Sequence, residues 1–269
     1  MNMDLRRMIV GTVGLFGMWL MGQGVASAQL TVSTNSVADA FVRSVDPTHN
    51  YGGAGALSVS GTIATNASGV QEGALDSFIR FDISSSFVQF NATFGVGDWT
   101  ISSAKLLLTE TAAPAQAIFN RGVGQFEVRW IANNSWVEGT GTPTAPTTNG
   151  IVYNSESSIL NPGVDATLGT FTNGGTNGLD TFSLGTPSAF LSDISTGGLV
   201  CMFLTATPNS TLGVTFNSRE FGTLSQRPML QLTAVVIPEP TTTALVGTSL
   251  VALLALRRIR WKNGHGEAD

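Results

Sequence analysis

The chain of 269 residues contains one cysteine, Cys201, and two histidines, His49 and His265. A lone cysteine excludes an intramolecular disulfide. Cys201 sits in the apolar run Leu199-Val200-Cys201-Met202-Phe203-Leu204, which predicts a small buried core residue. A cysteine nucleophile needs a histidine beside it, and only His49 and His265 exist, the latter beyond an apolar C-terminal run, which argues against a Cys–His enzyme. The chain also lacks G-x-S-x-G, H-E-x-x-H and any glycine loop suited to phosphate. Charge is scarce, at 12% of residues. Between residues 29 and 237 there are seven basic and fourteen acidic side chains, a net charge of −7. That balance argues against nucleic acid and against docking on anionic lipid.

What replaces charge is Ser, Thr, Asn and Gly, arranged with a period of two. Leu57, Val59 and Ile63 alternate with Ser58, Ser60 and Thr62. Ile79, Phe81 and Ile83 alternate with Arg80 and Asp82; Phe126, Val128 and Trp130 alternate with Glu127 and Arg129. Leu212, Val214 and Phe216, then Leu230, Leu232 and Ala234, repeat the pattern. Such alternation predicts antiparallel strands with one face buried and one wet. The runs 104–108 and 199–204 are more continuously apolar and are placed at the centre of a sheet. Gly52-Gly53-Ala54-Gly55, residues 140–150 and residues 173–178 are turn clusters. The one helix predicted inside the body is Ser188 to Ile194, behind Pro187 and ahead of Gly197-Gly198. About ten short strands with turn-rich spacing predict an all-β fold, a single antiparallel β-sandwich of jelly-roll type.

Both ends differ from this body. Arg6 and Arg7 precede the apolar run Met8 to Leu20, and Ala26-Ser27-Ala28 supplies a small-x-small site before Gln29. This is the order of a secretory signal peptide over residues 1–28, with Ala26 and Ala28 read by signal peptidase. At the other end, Pro238-Glu239-Pro240 precedes the apolar run Thr241 to Leu256 and the basic residues Arg257, Arg258, Arg260 and Lys262. The apolar run reaches spanning length if it continues through Ile259 and Trp261 with the arginines snorkelling. Basic residues resist translocation, so this end is predicted to face the cytoplasm and residues 29–236 the exterior. Residues 237–262 form the expected transmembrane unit, and 263–269 a polar tail.

Two resemblances follow from these residues. The tripeptide Pro238-Glu239-Pro240, the apolar run and the arginine knot together resemble the PEP-CTERM sorting signal of Gram-negative bacteria. The tail from Asn263 to Asp269 is longer than is usual after the knot. The resemblance implies cleavage near the tripeptide by a membrane protease of the exosortase type. It also implies a membrane-anchored precursor that ends in the cell envelope, at the surface or in the extracellular matrix. In the body, Ala38-Asp39-Ala40-Phe41-Val42-Arg43, Asn50-Tyr51-Gly52, Phe78-Ile79-Arg80-Phe81-Asp82, Ile101 to Leu106, Trp136 to Gly141, Asn149 to Tyr153, Phe216 to Glu220 and Arg227 to Leu230 resemble, in order, the blocks of DNRLRE-type domains. Tyr153 stands where that family more often has Trp. The resemblance implies a sandwich like that of carbohydrate-binding modules, with polysaccharide as a partner of some relatives.

The candidate site residues are few. Trp99, Trp130, Trp136 and Tyr51 are the aromatic candidates for stacking on a sugar ring. Trp130, flanked by charge, is assigned to the core, and Trp136 and Tyr51 to possible glycan contact. Asp82 beside Arg80 is expected to pair with it. Arg219 and Glu220 are read as a structural lock, with Arg219 bracing a loop through an acid such as Glu138 or Asp39. The other role open to Arg219 is a bidentate hold on a substrate carboxylate. No cofactor is required; calcium is the candidate metal, with Asp39, Asp46 and Asn50 as oxygen donors. The leading expectation is a non-enzymatic, exported envelope or matrix protein with a structural or adhesive role, through polysaccharide. The alternatives are a carbohydrate-binding module with a defined glycan and a polysaccharide-active enzyme. An exposed aromatic strip would favour the first alternative, and two carboxylates facing each other in a cleft the second.

Overall fold

The computed structural model describes residues 28–66, 68–111, 122–173, 178–237 and Leu254. The signal peptide, the Pro238-Glu239-Pro240 motif, the apolar run and the basic residues 257–262 lie outside the described residues, apart from Ala28 and Leu254. Among the described residues no helix is long and apolar enough to cross a membrane. Residues 29–237 form one compact unit.

Ten strands are described, all paired antiparallel. They are β1 (Gln29–Arg43), β2 (Ala56–Ser60), β3 (Leu75–Asp82), β4 (Trp99–Thr109), β5 (Gly124–Ile131), β6 (Ala166–Asn173), β7 (Leu179–Leu184), β8 (Leu199–Ala206), β9 (Gly213–Asn217) and β10 (Met229–Val236). The long first strand ties two sheets together. Its first half, Gln29 to Asn35, pairs with β10, which continues to β4 and β7. Its second half, Ser36 to Arg43, pairs with β3, which continues to β8, β5 and β6. The register shifts between Ser36 and Ala38. An extra residue at such a bulge bends the strand and re-aims its side chains. Here the bend carries the chain from one sheet to the other. β2 pairs with β9 and touches β3 at Ser60.

The main core lies between the sheets. Ala104, Leu106 and Leu108 of β4 and Leu230, Leu232 and Ala234 of β10 share one cluster with Ile79 and Phe81 of β3, Met202 and Leu204 of β8, and Phe126 and Trp130 of β5. Each large side chain buried there contributes roughly 1.5–3 kcal/mol. The expected core positions of Trp130 and Cys201 are what the structure shows. β8 also lies between β5 and β3, as its apolar run predicts.

The expectation of one wet face fails for the second sheet. Its other side carries a second cluster, Ala38, Ala40, Val42, Phe78, Cys201 and Phe203, joined by Ile131, Trp136 and Ile151. The segment after β5 folds back over this face and covers it. Strands covered on both faces need apolar residues at successive positions, and β8 has five buried residues in a row.

The predicted helix Ser188–Ile194 is present, here α3. Two others were not predicted: α1 (Ser84–Phe94) and the single turn α2 (Glu156–Ile159). In α1 the Phe87, Phe90, Phe94 spacing is helical, and Phe90 is buried. Asp82 Oδ1 accepts the Ser84 N–H at 2.9 Å at its start, and Gly95, at φ 100°, ends it. This corrects the expected Asp82–Arg80 pair. Asp82 serves the helix start, and its carboxyl is held below the usual range by the Ser84 hydrogen bonds. Arg80 instead donates to Trp136 O and lays its guanidinium 4.3 Å from the Trp136 ring centre.

Candidate functional site: a buried loop junction

The blocks at 39, 50–52, 138–141, 149–151 and 218–220 are scattered in sequence and converge on one end of β1. Asn50 is at the centre and fully buried. Its amide nitrogen donates to Glu138 O at 2.6 Å and Ile151 O at 2.8 Å. Its amide oxygen accepts from Gly52 N at 3.0 Å and Gly141 N at 3.2 Å. Every donor and two lone pairs of the side chain are therefore used, which is what burial of an amide requires.

The glycines of these blocks exist to admit it. A Cβ on Gly139 would stand 2.1 Å from Asn50 Oδ1, and one on Gly141 1.7 Å from Asn50 O. Gly139 also has φ +78°, a left-handed conformation that favours glycine. A Cβ on Gly52 would stand 2.0 Å from Glu138 O. The 138–141 backbone and the Asn50 side chain interlock at contact distances that leave no room for side chains.

Beside this latch is a charged group. Asp39, on β1, is 1% exposed. Its N–H donates to Glu138 Oε1 at 2.8 Å. Its Oδ2 accepts from Arg219 N at 2.8 Å and Ser36 Oγ at 3.2 Å. The Arg219 side chain grips Glu138 bidentately, Nε to Oε1 at 2.5 Å and Nη2 to Oε2 at 2.6 Å. Its Nε also lies 3.0 Å from Glu220 Oε1, while Ser218 Oγ donates to Glu220 Oε2 at 2.7 Å. Burial, against the Arg219 N–H and aided by the charges of Glu220 and Glu138, pushes the Asp39 carboxyl up to about 8. The hydrogen bonds to Glu138 raise Arg219 above its usual value.

The expected glycan contacts are not on the surface. Tyr51 is 3% and Trp136 4% exposed. The Tyr51 ring stacks on Phe41 at 4.8 Å and its hydroxyl donates to Asp46. Trp136 lies under the Arg80 guanidinium and against Phe78. Both ring faces are taken by the protein, so neither is offered to a sugar. The expected calcium set is not assembled either. Asn50 is spent on the latch, and Asp46 binds Tyr51 and His49 Nδ1, the latter at 2.5 Å. The Tyr51 hydroxyl, then His49, hold Asp46 below the usual carboxylate range. Only Asp39 of the three belongs to the charged group.

Two features lie outside the site residues assigned from the sequence. Asp76 of β3 is 4% exposed and lies close enough to Glu156 of α2 for the two carboxyls to influence one another. Burial raises both carboxyls, and for Glu156 the charge of Asp76 adds to it. The partners are far apart in sequence, so only the folded-back segment reveals them. The second feature is a shallow groove of about 230 Å³ beside α1, lined by Phe87, Asn91, Trp99, Thr100, Leu191 and Ser195, among others. Trp99 is half-buried there, with its Nε1 donating to Asn91 Oδ1 at 2.8 Å.

No family model matches the chain, and no curated protein matches its sequence.

Proposed function

We propose that the chain is a non-enzymatic protein exported to the bacterial envelope or extracellular matrix, where its jelly-roll-type sandwich has a structural or adhesive role. The observation that carries this reading is the loop junction. Loops are where enzymes place their reactive groups. Here the amide and carboxylate groups of the loops are turned onto one another, with Asn50 fully buried and Asp39 1% exposed. That arrangement supports rigidity rather than turnover.

Export and sorting are supported by the A-x-A site at Ala26 and Ala28 and by the PEP-CTERM-like tail, with signal peptidase and an exosortase-type protease as partners. The Glu239→Ala substitution tests this: the full-length form should accumulate in the membrane fraction. A mature C-terminus of unchanged mass would refute it.

The Trp99 groove favours a second reading, a carbohydrate-binding module. A half-exposed indole rimmed by Asn91, Thr100 and Ser195 suits one sugar ring. At about 230 Å³ the groove is smaller than the roughly 300–1,000 Å³ of ordinary ligand pockets. A glycan array probed with the protein and its Trp99→Ala variant separates the readings, since only the second expects a signal that the substitution removes.

A further inference from the structure

Asp39, Glu138 and Glu220 each bring a carboxylate oxygen within 4.8 Å of the others. They come from three separate segments: β1, the chain after β5 and the turn after β9. One guanidinium, that of Arg219, pairs with Glu138 and Glu220, while Asp39 accepts from the Arg219 backbone N–H. When all are ionised the group carries two uncompensated negative charges. Asp39 is 1% exposed, and its Oδ1 is buried with no hydrogen-bond partner. The second oxygen of the same carboxylate is already engaged by Arg219 N and Ser36. A buried carboxylate oxygen without a donor, beside two more carboxylates, calls for a cation.

We propose that Asp39, Glu138 and Glu220 form a calcium site. The donors are all hard oxygens, which disfavours zinc and copper. Ligand count then selects the ion: magnesium usually keeps several waters and takes one or two carboxylates, whereas calcium accepts a set of protein oxygens such as these three carboxylates. Arg219 holds Glu138 and Glu220 from one side, so the ion clamps the turn after β9 and the 138–141 segment onto β1. Three carboxylates on an extracellular module correspond to a Kd on the order of 10⁻⁴–10⁻³ M.

The test uses the full chain in mild detergent, stripped with EDTA. Calcium chloride at about 10 mM should raise the Tm by roughly 3–10 °C over sodium chloride of equal ionic strength. Magnesium should do much less. Terbium should bind at the same site and be sensitised by Trp136, two residues before Glu138. Glu220 is exposed, so Glu220→Gln should leave the Tm in EDTA within about 2 °C of the unsubstituted protein. It should weaken calcium binding roughly tenfold or more by removing one ligand charge. No rise beyond sodium chloride would overturn the proposal and assign the bare Asp39 oxygen to a proton. A rise that Glu220→Gln leaves intact would place the ion elsewhere, and an equal rise with magnesium would overturn the choice of calcium.

Discussion

Replacing Asn50 by Asp keeps the shape of the side chain and reverses half its hydrogen bonding. The native amide nitrogen donates to Glu138 O and Ile151 O from a fully buried position. An aspartate oxygen there would face two carbonyl oxygens. Protonation supplies one donor, not two, so at least one carbonyl is left bare. Each buried group without a partner costs about 1–3 kcal/mol, and lifting the carboxyl pKa to neutrality costs about 1.4 kcal/mol per pH unit. The total is about 5–7 kcal/mol at pH 7. For a domain of this size each kcal/mol lowers the Tm by about 2–4 °C, so the fall should be roughly 10–28 °C. The assay is thermal melting of the full chain in mild detergent, followed by the β-sheet circular dichroism band. The loss should shrink toward pH 4, where the introduced carboxyl is protonated. Asn50→Ala leaves the same carbonyls and the Gly52 and Gly141 N–H groups unsatisfied and should be comparably harmful. An Asn50→Asp protein melting within about 2 °C of the parent at pH 7 would refute the latch.

Two further outcomes are expected. Arg219→Ala, measured in EDTA, should cost about 1–3 kcal/mol, below the range for a fully buried pair because the Arg219 side chain is 39% exposed; Arg219→Lys should recover only part, since lysine cannot grip Glu138 bidentately. The Asp76–Glu156 pair has folded-state pKa values raised above the unfolded carboxylate range, so its stabilising contribution is complete below about pH 4 and is lost as pH rises through neutrality. Denaturant melts should show that decline, and Asp76→Asn should flatten it.

The fold was legible where alternation reports a single buried face. The strand β10, the core position of Trp130 and the helix at Ser188–Ile194 follow from sequence spacing alone. It was illegible where a distant segment changes the environment of a strand. Phe78 of β3 is fully buried because residues 132–160 cover the outer face, while its neighbour Ser77 is buried on the opposite side. Nothing in the strand's own sequence announces that cover. The same folded-back segment hid the site. Trp136, in a polar loop, looked exposed, yet the loop turns the ring inward to Phe78 and Arg80.

Asn50 was misassigned for a related reason. A lone Asn among Asp residues resembles a metal ligand, and its role depends on what faces it across the fold. The overlooked signal was steric. Asn50-Tyr51-Gly52, Gly139-Thr140-Gly141 and Asn149-Gly150 each carry a glycine beside a polar residue, as if they were separate turns. Only at Gly139 among these does backbone conformation require glycine; at Gly52, Gly141 and Gly150 the reason is the backbone or Asn50 amide pressed against the missing Cβ. Glycines that lie far apart in sequence, and whose own φ would tolerate a side chain, therefore identify a junction between loops rather than a set of turns. By that argument Gly52→Ala should fail through collision with the Glu138 backbone, not through strain within its own turn.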